Sequence, residues 1–223
     1  MAKRNGALTL TESVFSELRN HILSGKLSPG APLMPAELRL YFNVSVAVIR
    51  EALTRLAEKG LAKQSPNHGF TVMTLSDNEL KNIIVARSIN EGAALQLAIS
   101  KGDVIWESNI VAINHQLEQT PKYLIEDKTS VDDNWSAIHG RFHHALLEAC
   151  DNPILLDICA RLWDISELYR HWAIPHDSNR DIISEHTTLM QAVITRNSER
   201  AVALYNAHIR LTVDVLLQHP KKA

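Results

Sequence analysis

The chain has 223 residues, 45% of them hydrophobic, and a formal net charge of −2, an ordinary composition for a soluble protein with room for two modest cores. The small net charge hides a split: residues 1–75 carry nine Lys/Arg against five Asp/Glu, and residues 76–223 carry fourteen against twenty, so only the front suits a polyanion. The start, Met1-Ala2-Lys3-Arg4-Asn5-Gly6, leads into an amphipathic segment, which argues against a signal peptide or membrane span and for a cytoplasmic protein.

Thr11 opens a first helix whose apolar positions Val14, Phe15, Leu18 and Ile22 repeat at three and four, and Gly25 lies close to its end. Leu27-Ser28-Pro29-Gly30 is a turn, because Pro fixes one dihedral and Gly permits the unusual one. Pro35 suits the first turn of a second, short helix that places Leu38 and Phe42 inward. Asn43 then occupies a turn where a left-handed residue is expected. Ser45 can cap a third helix and Gly60 can stop it. Between them Ile49, Leu53, Leu56 and Ala57 share one face, while Arg50, Thr54, Glu58 and the small Val46 and Ala47 look elsewhere. A helix with an uncrowded N-terminal turn and an arginine one turn in can enter a DNA major groove, although three-helix units that never touch DNA are also common. Leu61-Ala62-Lys63-Gln64 and Phe70-Thr71-Val72-Met73 read as short strands joined by the turn formers Ser65-Pro66-Asn67-His68-Gly69. Three helices and a two-stranded wing make residues 1–75 a winged helix-turn-helix.

The run from Leu18 to Val72 carries Ile22-Leu23-Ser24-Gly25-Lys26-Leu27-Ser28-Pro29-Gly30, Val44-Ser45, Arg50-Glu51-Ala52-Leu53, Leu56, Gly60-Leu61 and Gly69. It resembles the DNA-binding domain of the GntR family of bacterial transcription regulators. The resemblance implies that Ser45 and Arg50, with Ala47 between them, face a palindromic operator, and that His68 and Gly69 bring the wing to the minor groove. Two positions depart from the family: Val46 follows the Val-Ser pair and Ala36 stands early in the second helix, where basic residues are usual. Losing two cations lowers the phosphate contribution. Arg39, Arg55 and Lys63 are candidates to compensate, and each also reads as a solvated surface charge.

Thr74-Leu75 is a linker, and Ser76-Asp77-Asn78-Glu79 has capping-box spacing. From there only helical patterns occur, at about 77–101, 103–119, 133–150, 153–173, 180–196 and 198–218, punctuated by Gly102, Pro121, Asn152-Pro153, Pro175 and Asn197-Ser198. Residues 76–223 therefore predict an antiparallel all-α bundle of six or seven helices, and the protein as a whole is mainly α. Cys150 and Cys159 lie nine apart in apolar helical surroundings with no second pair, which points to reduced core thiols.

Seven of the eleven histidines fall between His139 and His208. A lone histidine is more often a surface or hydrogen-bonded core residue than a ligand. His139 and His143, however, are four apart and emerge on one helix face, where they can share an ion. His186 and His208 lie amid apolar residues of two later helices, so imidazoles from three helices can converge in a bundle core.

The segment His139-Gly140-Arg141-Phe142-His143-His144-Ala145-Leu146-Leu147, followed by Asn152-Pro153-Ile154-Leu155, Glu185-His186 and Ala207-His208, resembles the FCD ligand-binding domain of the FadR branch of the same family. The resemblance implies a divalent metal held by an acidic residue and three histidines beside a small carboxylate effector, with His143, His186 and His208 at the histidine positions. His139 stands where the family has Asp or Asn. Either four imidazoles hold the metal, which favours Zn, Ni or Co over hard oxygen-seeking ions, or His139 swings away and leaves three. Arg87, one turn before Glu91, matches an arginine that can face the effector, and also reads as half of an intrahelical ion pair. Asn152 matches a further effector-side position, and also reads as a helix cap. Trp163, Tyr169 and Trp172 line one helix and read as packing or dimer surface rather than a ligand box.

The expectation is a homodimeric DNA-binding regulator, a repressor relieved by a small organic acid at a Zn or Ni site, and not an enzyme. Two rivals remain at this point: a metalloenzyme on the same bundle, and a regulator whose metal site is vestigial or structural. Against the enzyme, no carboxylate has His-x-x-Glu-type spacing beside the His139/His143 pair, and Glu185 points about 100° away from His186 on its helix.

Overall fold

The computed structural model describes residues 9–65, 69–74, 76–126, 131–172 and 180–218, and the chain divides between Ser76 and Asp77 into two compact units. In the front unit, helix α1 (Leu10–Leu23) is capped by Thr9, whose side chain accepts from the Glu12 amide. Thr9 rather than Thr11 opens the helix because its extended backbone frees its side chain for capping. Helices α2 (Pro35–Phe42) and α3 (Val46–Glu58) follow, joined through Asn43 at φ 51° and ψ 49°, the left-handed conformation.

The core of this unit is Leu18 and Ile22 of α1 against Ile49, Ala52, Leu53 and Leu56 of α3, all inaccessible to solvent. Ala52 rather than Ala57 completes the α3 face, since Ala57 is half-buried. Helix α2 is the other departure: Leu38 and Phe42 are only half-buried, and Leu40 and Tyr41 are exposed. A two-turn helix lying over α3 has too little length to bury a whole face. At the end of α3 the Gly60 amide donates to Ala57 and the Leu61 amide to Leu56, with Gly60 at φ 77°, the paired bonds that close a helix through a left-handed residue.

Strands β2 (Ala62–Ser65) and β3 (Gly69–Val72) pair antiparallel, Ala62 opposite Val72 and Ser65 opposite Gly69. The expected two-stranded wing gains a third strand, β1 (Pro32–Leu33), on the other edge of β3. Two residues are too short to show alternation in sequence; Leu33 turns inward, and Pro32 is tolerated because an edge strand can spare an N–H.

In the back unit the described helices are α4 (Asp77–Lys101), α5 (Val104–Gln119), α6 (Asp133–Glu148), α7 (Pro153–Trp172), α8 (Ile182–Ile194) and α9 (Ser198–Gln218). Asp103, Asp132 and Asp181 cap α5, α6 and α8 by accepting from first-turn amides. Helix α4 is central and packs against α7 and α9. Gly102 separates α4 from α5, and a Cβ there would fall 2.1 Å from the Trp106 ring, so only glycine lets that ring close the junction. Trp106 in turn donates its indole N–H to the Ala145 carbonyl of α6 at 2.7 Å. Cys150 and Cys159 are buried free thiols. Among the described residues no helix is long and apolar enough to cross a membrane.

Candidate functional site

Helix α6 presents His139 and His143 on one face, α8 contributes His186, and α9 contributes His208. All four are buried, and one ring nitrogen from each lies within 4.8 Å of the others. His143 Nε2 is 3.2 Å from His139 Nε2 and 3.3 Å from His186 Nε2. His139 does not swing away. Its ring stacks on Trp135, one turn earlier in α6, at 4.7 Å between centroids and 12° between planes.

The donor set fits a divalent metal ion. His143 Nε2 can hold one hydrogen or one lone pair in its ring plane, so it satisfies only one of its two nitrogen neighbours. The Nδ1 atoms of His139, His143 and His186 are buried and meet no hydrogen-bond partner among the described residues. Burial foremost, then the neighbouring imidazoles, holds His139, His143 and His186 well below the usual 6.5, so the rings are neutral and able to ligate. Tetrahedral ligands at about 2.05 Å from zinc lie about 3.3 Å apart, close to the two separations seen here. Four imidazoles suit Zn, Ni or Co rather than oxygen-seeking ions.

His208 differs from the other three. Its Nδ1 lies 2.8 Å from Glu185 Oε2, and Arg180 meets the same carboxylate at 2.7 and 2.6 Å. Burial alone would raise the Glu185 carboxyl, but the bonds from Arg180 and His208 outweigh it and draw it down to about 2.

A cavity opens beside the histidines, walled by Trp135, Trp163, Leu80, Ile84, Ile209 and Val213. Arg87, Arg170 and Arg180 also reach its lining, and each is matched by a carboxylate, Glu91, Glu167 and Glu185 respectively. Arg87 lies at the cavity and also forms the intrahelical ion pair: Nε and Nη2 donate to Glu91, and Nη1 donates to Ser166 Oγ at 2.8 Å. Asn152 does not line the cavity. It is exposed at the start of α7, where its Oδ1 accepts from the Leu155 amide at 3.1 Å, because the turn before Pro153 places it as a helix cap. Trp163 corrects the packing assignment in part: it is buried like Tyr169, yet also lines the cavity with its ring 4.8 Å from that of His143. The Trp172 side chain lies outside the described residues.

In the front unit Ser45, Ala47 and Arg50 are exposed together on the first turns of α3, and the Ser45 Oγ accepts from the Val48 amide at 3.3 Å. Gly69, exposed at φ 73°, begins β3, whereas His68 lies outside the described residues. Arg55 does not join this group. It pairs with Glu12 of α1 at 2.8 Å and lies 4.4 Å over the Phe15 ring, so it clamps α1 to α3.

Sequence reasoning missed Trp135, Arg170, Arg180 and the role of Glu185. Trp135 was legible in principle, being one turn before His139 on the same face. The arginines carry no periodic signal; their position follows from tertiary packing alone.

Two family profiles match the chain: "Bacterial regulatory proteins, gntR family" over residues 10–72 and "FCD domain" over residues 82–211. The HTH-type transcriptional repressor GlaR of Escherichia coli (strain K12) is 29% identical over 206 residues, covering 90% of this chain and 93% of its own. The uncharacterized HTH-type transcriptional regulator BphR of Paraburkholderia xenovorans (strain LB400) is 28% identical over 211 residues, covering 94% and 86%. The solved structure of E. coli McbR/YncC shares the fold, with a TM-score of 0.78 at 24% identity, covering 95% of this chain and 99% of that one. The chain belongs to the GntR family of bacterial transcription regulators, joining a DNA-binding winged helix-turn-helix to an FCD domain, and is a regulator rather than an enzyme.

Proposed function

We propose that this regulator binds a palindromic operator as a homodimer and that a small organic acid controls the binding at a Zn or Ni ion held by His139, His143, His186 and His208. The convergence of four buried ring nitrogens within 4.8 Å carries this proposal. When bound, the ion supplies a Lewis-acid anchor for a carboxylate. Arg87, Arg170 and Arg180 surround the remaining space with donors, and the Trp135 and Trp163 rings exclude water from its inner wall. With each arginine matched by its own carboxylate, the metal's charge adds strongly to the pocket's attraction for an anion.

Operator contact is assigned to Ser45, Ala47 and Arg50 at the start of α3 and to Gly69 of the wing. The side chains before Arg50 are small or apolar, so the first turn can approach base edges closely. Dimerisation is assigned to the outer face of α4. Val85 and Ile89 are exposed there, and in residues 82–100 the charged side chains are Arg87 and Glu91, both buried. A stretch without exposed charge suits the centre of a two-fold contact, which sets like against like. Cytoplasmic location follows from a DNA partner. The name of GlaR, a transcriptional repressor, supports repression as the sign.

The test is a gel shift on the promoter of the regulator's own gene, using protein stripped with chelator and then reloaded with Zn or Ni. Release of DNA by short organic acids from reloaded protein, and not from stripped protein, is the expected result. A response independent of metal would leave the ion structural or the site vestigial.

A further inference from the structure

We infer that Glu185 and Arg180 are positioning residues that fix the tautomer of His208, so that its Nε2 presents a lone pair to the histidine cluster. The inference rests on the proposed metal site, and it follows from counting hydrogens. Arg180 donates from Nε to Glu185 Oε1 at 2.7 Å and from Nη1 to Thr212 Oγ1 at 2.9 Å. Of its two Nη2 hydrogens, one goes to Glu185 Oε2 at 2.6 Å and the other to the His208 carbonyl at 3.0 Å. None remains for His208 Nδ1, although Nη2 is only 3.2 Å away. The Nδ1 atom therefore carries the ring's proton and donates it to Glu185 Oε2 at 2.8 Å. A neutral imidazole with hydrogen on Nδ1 has its lone pair on Nε2, the nitrogen left for the cluster.

The same geometry defines what happens without the carboxylate. Arg180 would regain a free Nη2 hydrogen beside Nδ1 and donate to it. The ring would then move its proton to Nε2 and lose the lone pair the site needs. Arg180 is thus harmless beside Glu185 and inhibitory without it. Removal of both residues leaves Nδ1 to water, which accepts its hydrogen as readily as it donates, so the ring regains access to the useful tautomer.

The experiment titrates chelator-stripped, full-length protein with Zn²⁺ against a chromophoric competitor, and records the visible absorption of the Co²⁺ form. Glu185→Ala is expected to weaken binding about 10–100-fold, as loss of an outer partner of a ligating histidine does. The double variant Arg180→Ala/Glu185→Ala is expected to recover to within a few-fold of wild type, with a wild-type Co²⁺ spectrum. A double variant no tighter than Glu185→Ala, or a Glu185→Ala that binds like wild type, would overturn the inference. Long-range ¹H–¹⁵N correlation on stripped wild-type protein reads the tautomer without any variant: hydrogen on His208 Nδ1 supports the inference, and hydrogen on Nε2 refutes it. Failure of the metal site itself looks different, with wild type and His143→Ala binding Zn²⁺ equally poorly or equally well.

Discussion

Arg87 and Glu91, one turn apart on α4, form a two-pronged ion pair in the interior of the back unit, Nε to Oε1 at 2.7 Å and Nη2 to Oε2 at 2.9 Å. Tyr205 of α9 donates to the same carboxylate at 2.7 Å and Ser166 of α7 accepts from the guanidinium, so one pair ties three helices together. Breaking it from one side strands a buried charge. Glu91→Ala is expected to cost about 3–5 kcal/mol in urea unfolding, and Arg87→Met/Glu91→Leu distinctly less. A double variant as unstable as Glu91→Ala would show that the hydrogen-bonded geometry, and not charge compensation, dominates.

Arg50 leads the exposed first turns of α3. Arg50→Ala should weaken specific operator binding by about 1–3 kcal/mol, the worth of one good base contact. Arg55→Ala should instead lower the stability of the front unit, since Arg55 bridges Glu12 and Phe15. A fluorescence-anisotropy titration paired with thermal melts separates the two effects. Unchanged operator affinity in Arg50→Ala would remove α3 from the DNA interface.

Burial foremost, with Glu91 and Cys150 nearby, pushes the Cys159 thiol up to about 12. It therefore stays protonated at pH 8 and should resist a thiol reagent until the protein unfolds. The sign of the linked pH effect follows. Above about pH 9 the unfolded chain loses this proton while the folded one keeps it, so folding stability falls from about pH 9 towards 12. Cys159→Ala removes that portion of the alkaline loss. Rapid labelling of native protein at pH 8 would contradict the assignment.

Val85 and Ile89 on α4 are 59% and 66% exposed, in a stretch whose charged side chains, Arg87 and Glu91, are buried. Ile89→Lys places like charges against each other across a two-fold contact and should convert dimer to monomer by light scattering. Zn²⁺ affinity should be unaffected, because Ile89 points away from the buried helix face. A dimer of undiminished stability would move the interface elsewhere.

Much of this architecture was legible in the residues because it rests on local signals. The αL turn at Asn43, the Ser45 cap, the Gly60 stop and the spacing of the bundle helices each follow from a few neighbouring side chains. The pairing of His139 with His143 was legible for the same reason, being a matter of helical period. What stayed open is tertiary. Asn152 offered both an effector-side position and a helix cap, and Arg55 both a compensating cation and a solvated charge; packing makes the first a cap of α7 and draws the second onto Phe15. The part played by Glu185 was hidden because it acts across two helices: it points away from His186 beside it and reaches His208 on α9.

The most direct measurement is the metal content of tag-free protein by plasma mass spectrometry, after loading with Zn or Ni and removal of excess, for wild type, His139→Ala and His143→Ala. About one equivalent per chain in wild type, lost in both variants, is the result expected of a four-histidine site. Metal lost only from His143→Ala would reduce the site to three histidines. No retained metal in wild type, or equal retention in all three proteins, would contradict the metal-dependent control proposed here while leaving the DNA-binding unit untouched.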